Sequence, residues 1–408
     1  MKKHLIPLII SLLISLSACG ILNNESRTTE SQASPPTLPP TRQFAQCTAQ
    51  SQKSADLAQP GDWISGAREG YAVTMIEYGD FQCPVCNSME PVLAQILDYF
   101  PNDVRFIFRH FTLGNFDKSP LAAQAAEAAG LQGDFWGMYD ALFDKYQDWV
   151  SFTPEDFETW LIDEADALGL DTNQFAQDLN SDEIVTRVNQ AQQNAIANNI
   201  TYTPHLSFDG QALPDYIQTE GELYAWLEYQ IIPLGRLANI KFSECPAVNI
   251  DPQGKYTATL HTEKGDILIA LYADVAPYAV NNFIFLAESG FYDNTTFHRV
   301  IERQIAQGGD PSGTGMGNPG YLFSIETSPG LKFDRPGMVA MANFDPYSNG
   351  SQFFISMTTN SDWDGNFTIF GEVIEGMTVV ESLSPRNPQF DFLAPPGDSL
   401  YGITIEEK

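Results

Sequence analysis

Phe81-Gln82-Cys83-Pro84-Val85-Cys86-Asn87-Ser88-Met89-Glu90 reads FQCPVCNSME. Two cysteines stand three positions apart with a proline between them, just after the apolar run Tyr71–Tyr78. A strand ending near Asp80 and a helix starting near Cys83 would place the first cysteine at a helix N-terminus. Unpaired N–H groups and the positive end of the helix dipole favour an anion there, and the thiolate is the form that attacks disulfides. Cys83 is therefore expected to attack, open to visitors, and Cys86, one turn on and more buried, to resolve. A zinc site would need four ligands, and His4, His110, His205, His261 and His298 supply no pair at metal-binding spacing. A structural bridge across so short a loop would constrain little chain. No metal and no cofactor is expected.

Outward from that motif, strand and helix signals alternate over about 60–245. Val104–Arg109 and Leu206–Phe208 read as strands, and Ser119-Pro120 and Thr153-Pro154 as helix starts with proline in the first turn. Alanine-rich 121–129 and the apolar spacing of 155–168 extend the helical stretch, and Glu222–Ile232 reads as a last helix. After Cys245 the texture changes. Tyr256–Leu260 and Asp266–Tyr272 form a hairpin around Glu263-Lys264-Gly265, and short strands with Gly-rich loops follow, with one helix at about Val275–Ser289.

The chain has 408 residues, enough for two or three domains, and its formal net charge of −31 repels phosphates, so no nucleic-acid partner is expected. Lys2 and Lys3 precede an apolar run, Leu5–Leu16, too short to span a membrane as a stable anchor, which ends in Ser17-Ala18-Cys19. Leu16-Ser17-Ala18-Cys19 resembles the bacterial lipobox, which implies lipidation of Cys19. Export implies an oxidising compartment, and Cys47 and Cys245 are then an even pair flanking one domain. Joining them would stabilise by roughly 4–5 kcal/mol on the chain-entropy model.

Residues about 65–245 resemble the DsbA-like branch of the thioredoxin superfamily on Asp80-Phe81-Gln82-Cys83-Pro84-Val85-Cys86 and Thr203-Pro204 before a returning strand. The resemblance implies an α/β thioredoxin-like fold with a helical insertion and a cis Pro204 that, with Thr203, faces the cysteines and binds peptide. It also implies that Glu90 lies beneath the site as a proton relay. Strong oxidants of this family carry His between the cysteines; Val85 replaces it, so a less oxidising centre is expected. Whether the centre donates, reduces or shuffles disulfides stays open.

Residues about 254–385 resemble cyclophilin on Phe297-His298-Arg299-Val300-Ile301, Gln307-Gly308-Gly309-Asp310, Gly313-Thr314-Gly315, Met341-Ala342-Asn343, Asn349–Ile355 and Asp364–Gly371. That implies an eight-stranded β-barrel and isomerisation of Xaa-Pro bonds, whose barrier is near 20 kcal/mol. Arg299 would hydrogen-bond the prolyl nitrogen as the bond twists. Gln307, Asn343, Ala342 and Gln352 would hold the substrate, and Phe354, Ile305, Trp363 and Phe367 would form the proline seat. Polar Gln304 stands where many members place a pocket Phe.

The expected protein is multidomain: a lipoprotein signal (1–19), a Ser/Thr/Pro-rich tether (20–55), the thioredoxin-like domain (56–246), a linker (247–253) and the all-β-leaning barrel domain (254–408). It would be a lipid-anchored, extracytoplasmic bacterial folding catalyst acting on unfolded exported polypeptides, with a membrane redox partner. The alternatives are a peptide-binding chaperone without turnover and a reductase dedicated to one partner.

Overall fold

A computed structural model describes residues 46–50, 57–388, 390 and 394–408. The signal, Cys19 and most of the tether lie outside these residues. Strand Val73–Gly79 is buried along its whole length and centres a five-stranded sheet. It pairs in parallel with Val104–His110 and antiparallel with His205–Phe208; Trp63–Gly66 and Gln211–Ala212 form the edges. A strand covered on both faces is mostly apolar, as Val73, Met75, Ile76 and Tyr78 are here, with Thr74 and Glu77 as the buried exceptions.

Helix Pro84–Tyr99 starts with Pro84 in its first turn and Cys83 as N-cap. The inserted helices are Ser119–Leu131, Phe135–Asp144, Tyr146–Trp149, Pro154–Ala167, Thr172–Leu179 and Asp182–Ala197. Side-chain caps start several of them: Asp134 accepts from Gly137 N–H, Thr153 from Asp156 N–H and Ser181 from Ile184 N–H. The alanines of Ser119–Leu131 are buried and let its neighbours approach closely; a Cβ on Gly130 would lie 2.4 Å from the Trp63 ring.

The last helix departs from the expected Glu222–Ile232. It begins at a Thr219/Glu222 capping box, runs over Glu220–Trp226, widens to a π-helix over Leu227–Ile231 and continues as Ile232–Ala238. Pro233 has no N–H to donate to the preceding turn, and the register shifts just before it.

The C-terminal part is a nine-stranded antiparallel sheet. The hairpin strands Tyr256–Thr262 and Gly265–Leu271 sit beside Ser399–Glu407 and Ile369–Glu375. The two end strands, Thr295–Thr296 and Arg299–Ile301, are separated in sequence only by Phe297 and His298, so the sheet curls until its ends approach. Helix Pro277–Glu288 packs its Phe283 against Phe353 and Phe370 in the core.

One stretch assigned to the tether is corrected. Cys47–Ala49 is a strand, paired antiparallel with Tyr321–Phe323 of the C-terminal part. Cys47 and Cys245 are disulfide-bonded. The bridge therefore flanks the thioredoxin-like region in sequence but lies against its neighbour in space. Leu237 joins the C-terminal core, and the ring of Phe242 lies 4.9 Å from that of Phe285. Backbone pairing and the disulfide, rather than burial, hold this stretch, since Cys47 is half-buried and Thr48 and Ala49 are exposed.

Candidate functional sites

Strand and helix meet at Cys83 as the motif requires, yet Cys83 is only 4% exposed. The expectation of an open sulfur is corrected: its Sγ donates to the carbonyl of Thr203 at 3.7 Å, and the Thr203–Pro204 peptide is cis. Tyr146 of the helical insertion donates its hydroxyl to the carbonyl of Gln82, closing the other side. Val85 and Tyr202 remain outward, 56% and 57% exposed, as an apolar rim. Cys86 is deeper. Burial, with the nearby Glu77 charge, pushes its thiol well up, although Sγ accepts from Asp80 N–H. Cys83 and Cys86 are both free thiols.

Beneath them lie two carboxyl groups. Glu90, named from the sequence, is half-buried, and desolvation with Asp140 and Asp144 pushes it up to about 7. Glu77, which sequence reasoning missed, is fully buried on the central strand and is pushed up to about 8 by burial and by Glu90. A charged residue inside an otherwise apolar strand was the available signal. Asp80 accepts from Gln82 N–H, Leu113 N–H and the Ser119 hydroxyl, and so holds the turn that carries Cys83.

The second site is a cleft of about 660 Å³ in the C-terminal part. Arg299 and Gln307 face each other across adjacent strands, and the Arg299 Nη1 donates to Gln307 Oε1 at 3.2 Å. Gln307 Nε2 donates to Gln352 Oε1 at 2.9 Å, and Gln352 Nε2 donates to the carbonyls of Gly315 and Gly317. The Arg299 Nε is buried with no hydrogen-bond partner among the described residues. The side chain as a whole is half-buried and lines the cleft, so its cationic end can meet an acceptor there. His298 lies beneath; burial pushes its imidazole down to about 4, so it is neutral near pH 7.

Beside the guanidinium lies an apolar seat. Phe354 meets Phe367 at 5.2 Å and Trp363 at 5.7 Å, both edge-on, with Ile305 and Ala342 completing it. Phe333, missed from the sequence, stacks on Phe354 at 5.7 Å and is 1% exposed, so it supports the seat from behind. Asn343 Nδ2 donates to the Asn366 carbonyl at 3.2 Å and lines the cleft with Gln304. The sequence-named residues thus fall into two groups: Cys83, Cys86, Glu90, Thr203 and Pro204 at one site, and Arg299, Ile305, Gln307, Ala342, Asn343, Gln352, Phe354, Trp363 and Phe367 at the other.

A paired-thiol turn on an α/β sheet and a guanidinium beside an aromatic seat on a curled β-sheet make this a two-module protein with one candidate site in each module. Residues 257–390 match the family model for cyclophilin type peptidyl-prolyl cis-trans isomerases, and residues 60–228 match that for thioredoxin. Peptidyl-prolyl cis-trans isomerase A of Mycobacterium tuberculosis is 47% identical over 159 residues, covering 35% of this chain and 87% of the relative. A probable isomerase A of Mycobacterium leprae is 46% identical over 145 residues, covering 31% and 80%. A crystal structure of a Cryptosporidium parvum cyclophilin type isomerase is 33% identical with a TM-score of 0.35, covering 38% of this chain and 99% of that one. The chain belongs to the cyclophilin type peptidyl-prolyl cis-trans isomerase family, and it carries a thioredoxin-like N-terminal region.

Proposed function

We propose that the protein is an extracytoplasmic folding catalyst that isomerises Xaa-Pro bonds at Arg299 and exchanges disulfides at Cys83 and Cys86. The isomerase reading is carried by one observation: the half-buried Arg299 side chain and the aromatic seat around Phe354 line the same cleft. With the ring seated, a donor at the prolyl nitrogen weakens amide resonance as the bond twists, and positive charge in a partly dry cleft acts most strongly there. Gln307, held between Arg299 and Gln352, and Asn343 present polar groups to the substrate backbone. The test is a proline-peptide isomerisation assay on the full chain. Arg299→Ala is expected to lower kcat/KM by about 100-fold, in line with the loss of one charged transition-state donor; equal rates for both proteins would refute the assignment.

For the thiols, attack by Cys83 on a substrate disulfide gives a mixed disulfide and releases one substrate thiolate. Attack by Cys86 then releases the second thiolate and leaves Cys83–Cys86 oxidised; the reverse sequence oxidises a substrate dithiol. Glu77, whose charge acts on Cys86, would take up or return its proton, with Glu90, whose charge acts in turn on Glu77, as the next carboxyl along. Both slow covalent steps of folding exported chains would be served by one molecule, with a lipidated Cys19 holding it at a membrane and a membrane redox partner resetting the thiols.

The burial of Cys83 favours a second reading of this module, a reductase serving one partner whose loop fits between Val85 and Tyr202. The reduction potential separates them: a value near −270 mV favours the reductase, and one near −120 mV favours general oxidation, each taken as roughly the potential of a known representative.

A further inference from the structure

The C-terminal cleft is not walled by the C-terminal part alone. Gln230, on the π-helical turn of the thioredoxin-like region, lines it together with Thr314, Met316 and Asn318. The same helix buttresses that wall. Leu237, further along the same helical stretch, is part of the C-terminal core, and its Cδ2 lies 2.6 Å from where a Cβ on Gly317 would stand. Only glycine leaves room for this approach. Gly317 donates its N–H to Asp310 and offers its carbonyl to Gln352, which reaches Arg299 through Gln307. Beyond it, Pro319 accepts from Phe242 N–H and Gly320 from Gln50 N–H, both at 2.8 Å.

We propose that the prolyl cleft is a composite of both modules, in which Gln230 of the thioredoxin-like region contacts the substrate peptide beside the proline and sets which sequences are accepted. The aromatic seat holds the ring, and the cleft continues past it over Thr314–Asn318 to Gln230, a volume suited to several residues. The Gln230 carboxamide is polar and uncharged, a character suited to contact with a peptide unit. Asn318 and Thr314 repeat that character, while Met316, 72% exposed, supplies an apolar lip. The ligand class is an extended Xaa-Pro peptide engaging this wall through its backbone. The inference rests on the isomerase reading above.

The test uses the full chain, a short blocked Xaa-Pro peptide that fills only the seat and a longer peptide with the same Xaa-Pro centre. In Gln230→Ala the ratio of KM for the long peptide to KM for the short one should rise about fivefold, the worth of one net hydrogen bond. Gln230→Trp, which fills that end of the cleft, should raise the ratio further. An unchanged ratio in both variants overturns the composite site. A wild-type chain that turns over neither peptide overturns the isomerase reading itself. A measurement on unaltered protein covers variants that fail to fold: the Gln230 side-chain amide resonances should shift on saturation with the long peptide and not with the short one. Resonances that stay fixed with both peptides count against the proposal.

Discussion

The Sγ of Cys83 sits 3.7 Å from the carbonyl oxygen of Thr203 and donates to it. The sulfur that would attack a substrate is thus engaged by the loop that would bind it. An incoming chain must displace that contact, and the rim of Val85 and Tyr202 offers apolar surface to help do so. Cys86 has no such route, being 1% exposed with its thiol pushed up by burial.

That difference predicts where a reaction intermediate is trapped. Cys86→Ala, incubated with a disulfide-bonded substrate, should accumulate a mixed disulfide through Cys83, visible by mass spectrometry without reductant. Cys83→Ala should accumulate none. A trap found on Cys86 would reverse the two roles.

Glu77 predicts a pH-dependent stability. Its folded pKa, about 8, lies above the ordinary 4.5. The folded state therefore holds a proton that the unfolded state has released, and stability is full below about pH 4.5 and is lost as pH rises to 8. The loss is at most roughly 5 kcal/mol, taking about 1.4 kcal/mol per unit. Glu77→Gln should flatten the urea midpoint between these pH values, leaving the smaller slope from Glu90. Parallel slopes in the two proteins would contradict a neutral buried Glu77.

Gln304 is exposed and lines the cleft where an aromatic ring would add contact. Gln304→Phe should lower KM for an Xaa-Pro peptide by roughly 5–30-fold, the equivalent of 1–2 kcal/mol of added apolar burial. Unchanged or raised KM would show that this wall does not meet the proline.

The bond between Cys47 and Cys245 closes a separation of 198 residues. Cys47→Ser with Cys245→Ser should cost up to roughly 5 kcal/mol on the chain-entropy model. Since the bonded strand Cys47–Ala49 pairs with Tyr321–Phe323, the loss should appear first as faster amide exchange at 321–323. Unaltered exchange there, with unaltered melting, would leave the bridge without a role in holding that strand.

Much of the fold was legible because its signals are local. The apolar run before Cys83, proline in the first turn of Pro84–Tyr99 and the Thr153 cap each act within a few residues. The separated blocks around Arg299, Gln307, Asn343 and Phe354 named most of the cleft for the same reason. Other features carried no local mark. Strand Cys47–Ala49 reads as linker because its stability comes from a partner more than 270 positions away. Phe333 is one aromatic among 27 phenylalanines until it stacks on Phe354. The expected last helix stops at Ile232, whereas the chain passes Pro233 after a π-helical turn and runs on to Ala238.

The sequence by itself determined the two modules, the order of their strands and helices, and the residue types brought to each site, since periodicity, capping and motif spacing are written residue by residue. Only the tertiary structure decided that Cys83 is covered, that Glu77 is buried and neutral near pH 7, and that Gln230 faces the other module's cleft. Burial and the electrostatics that follow from it depend on which distant surfaces meet, and that is settled by packing the whole chain.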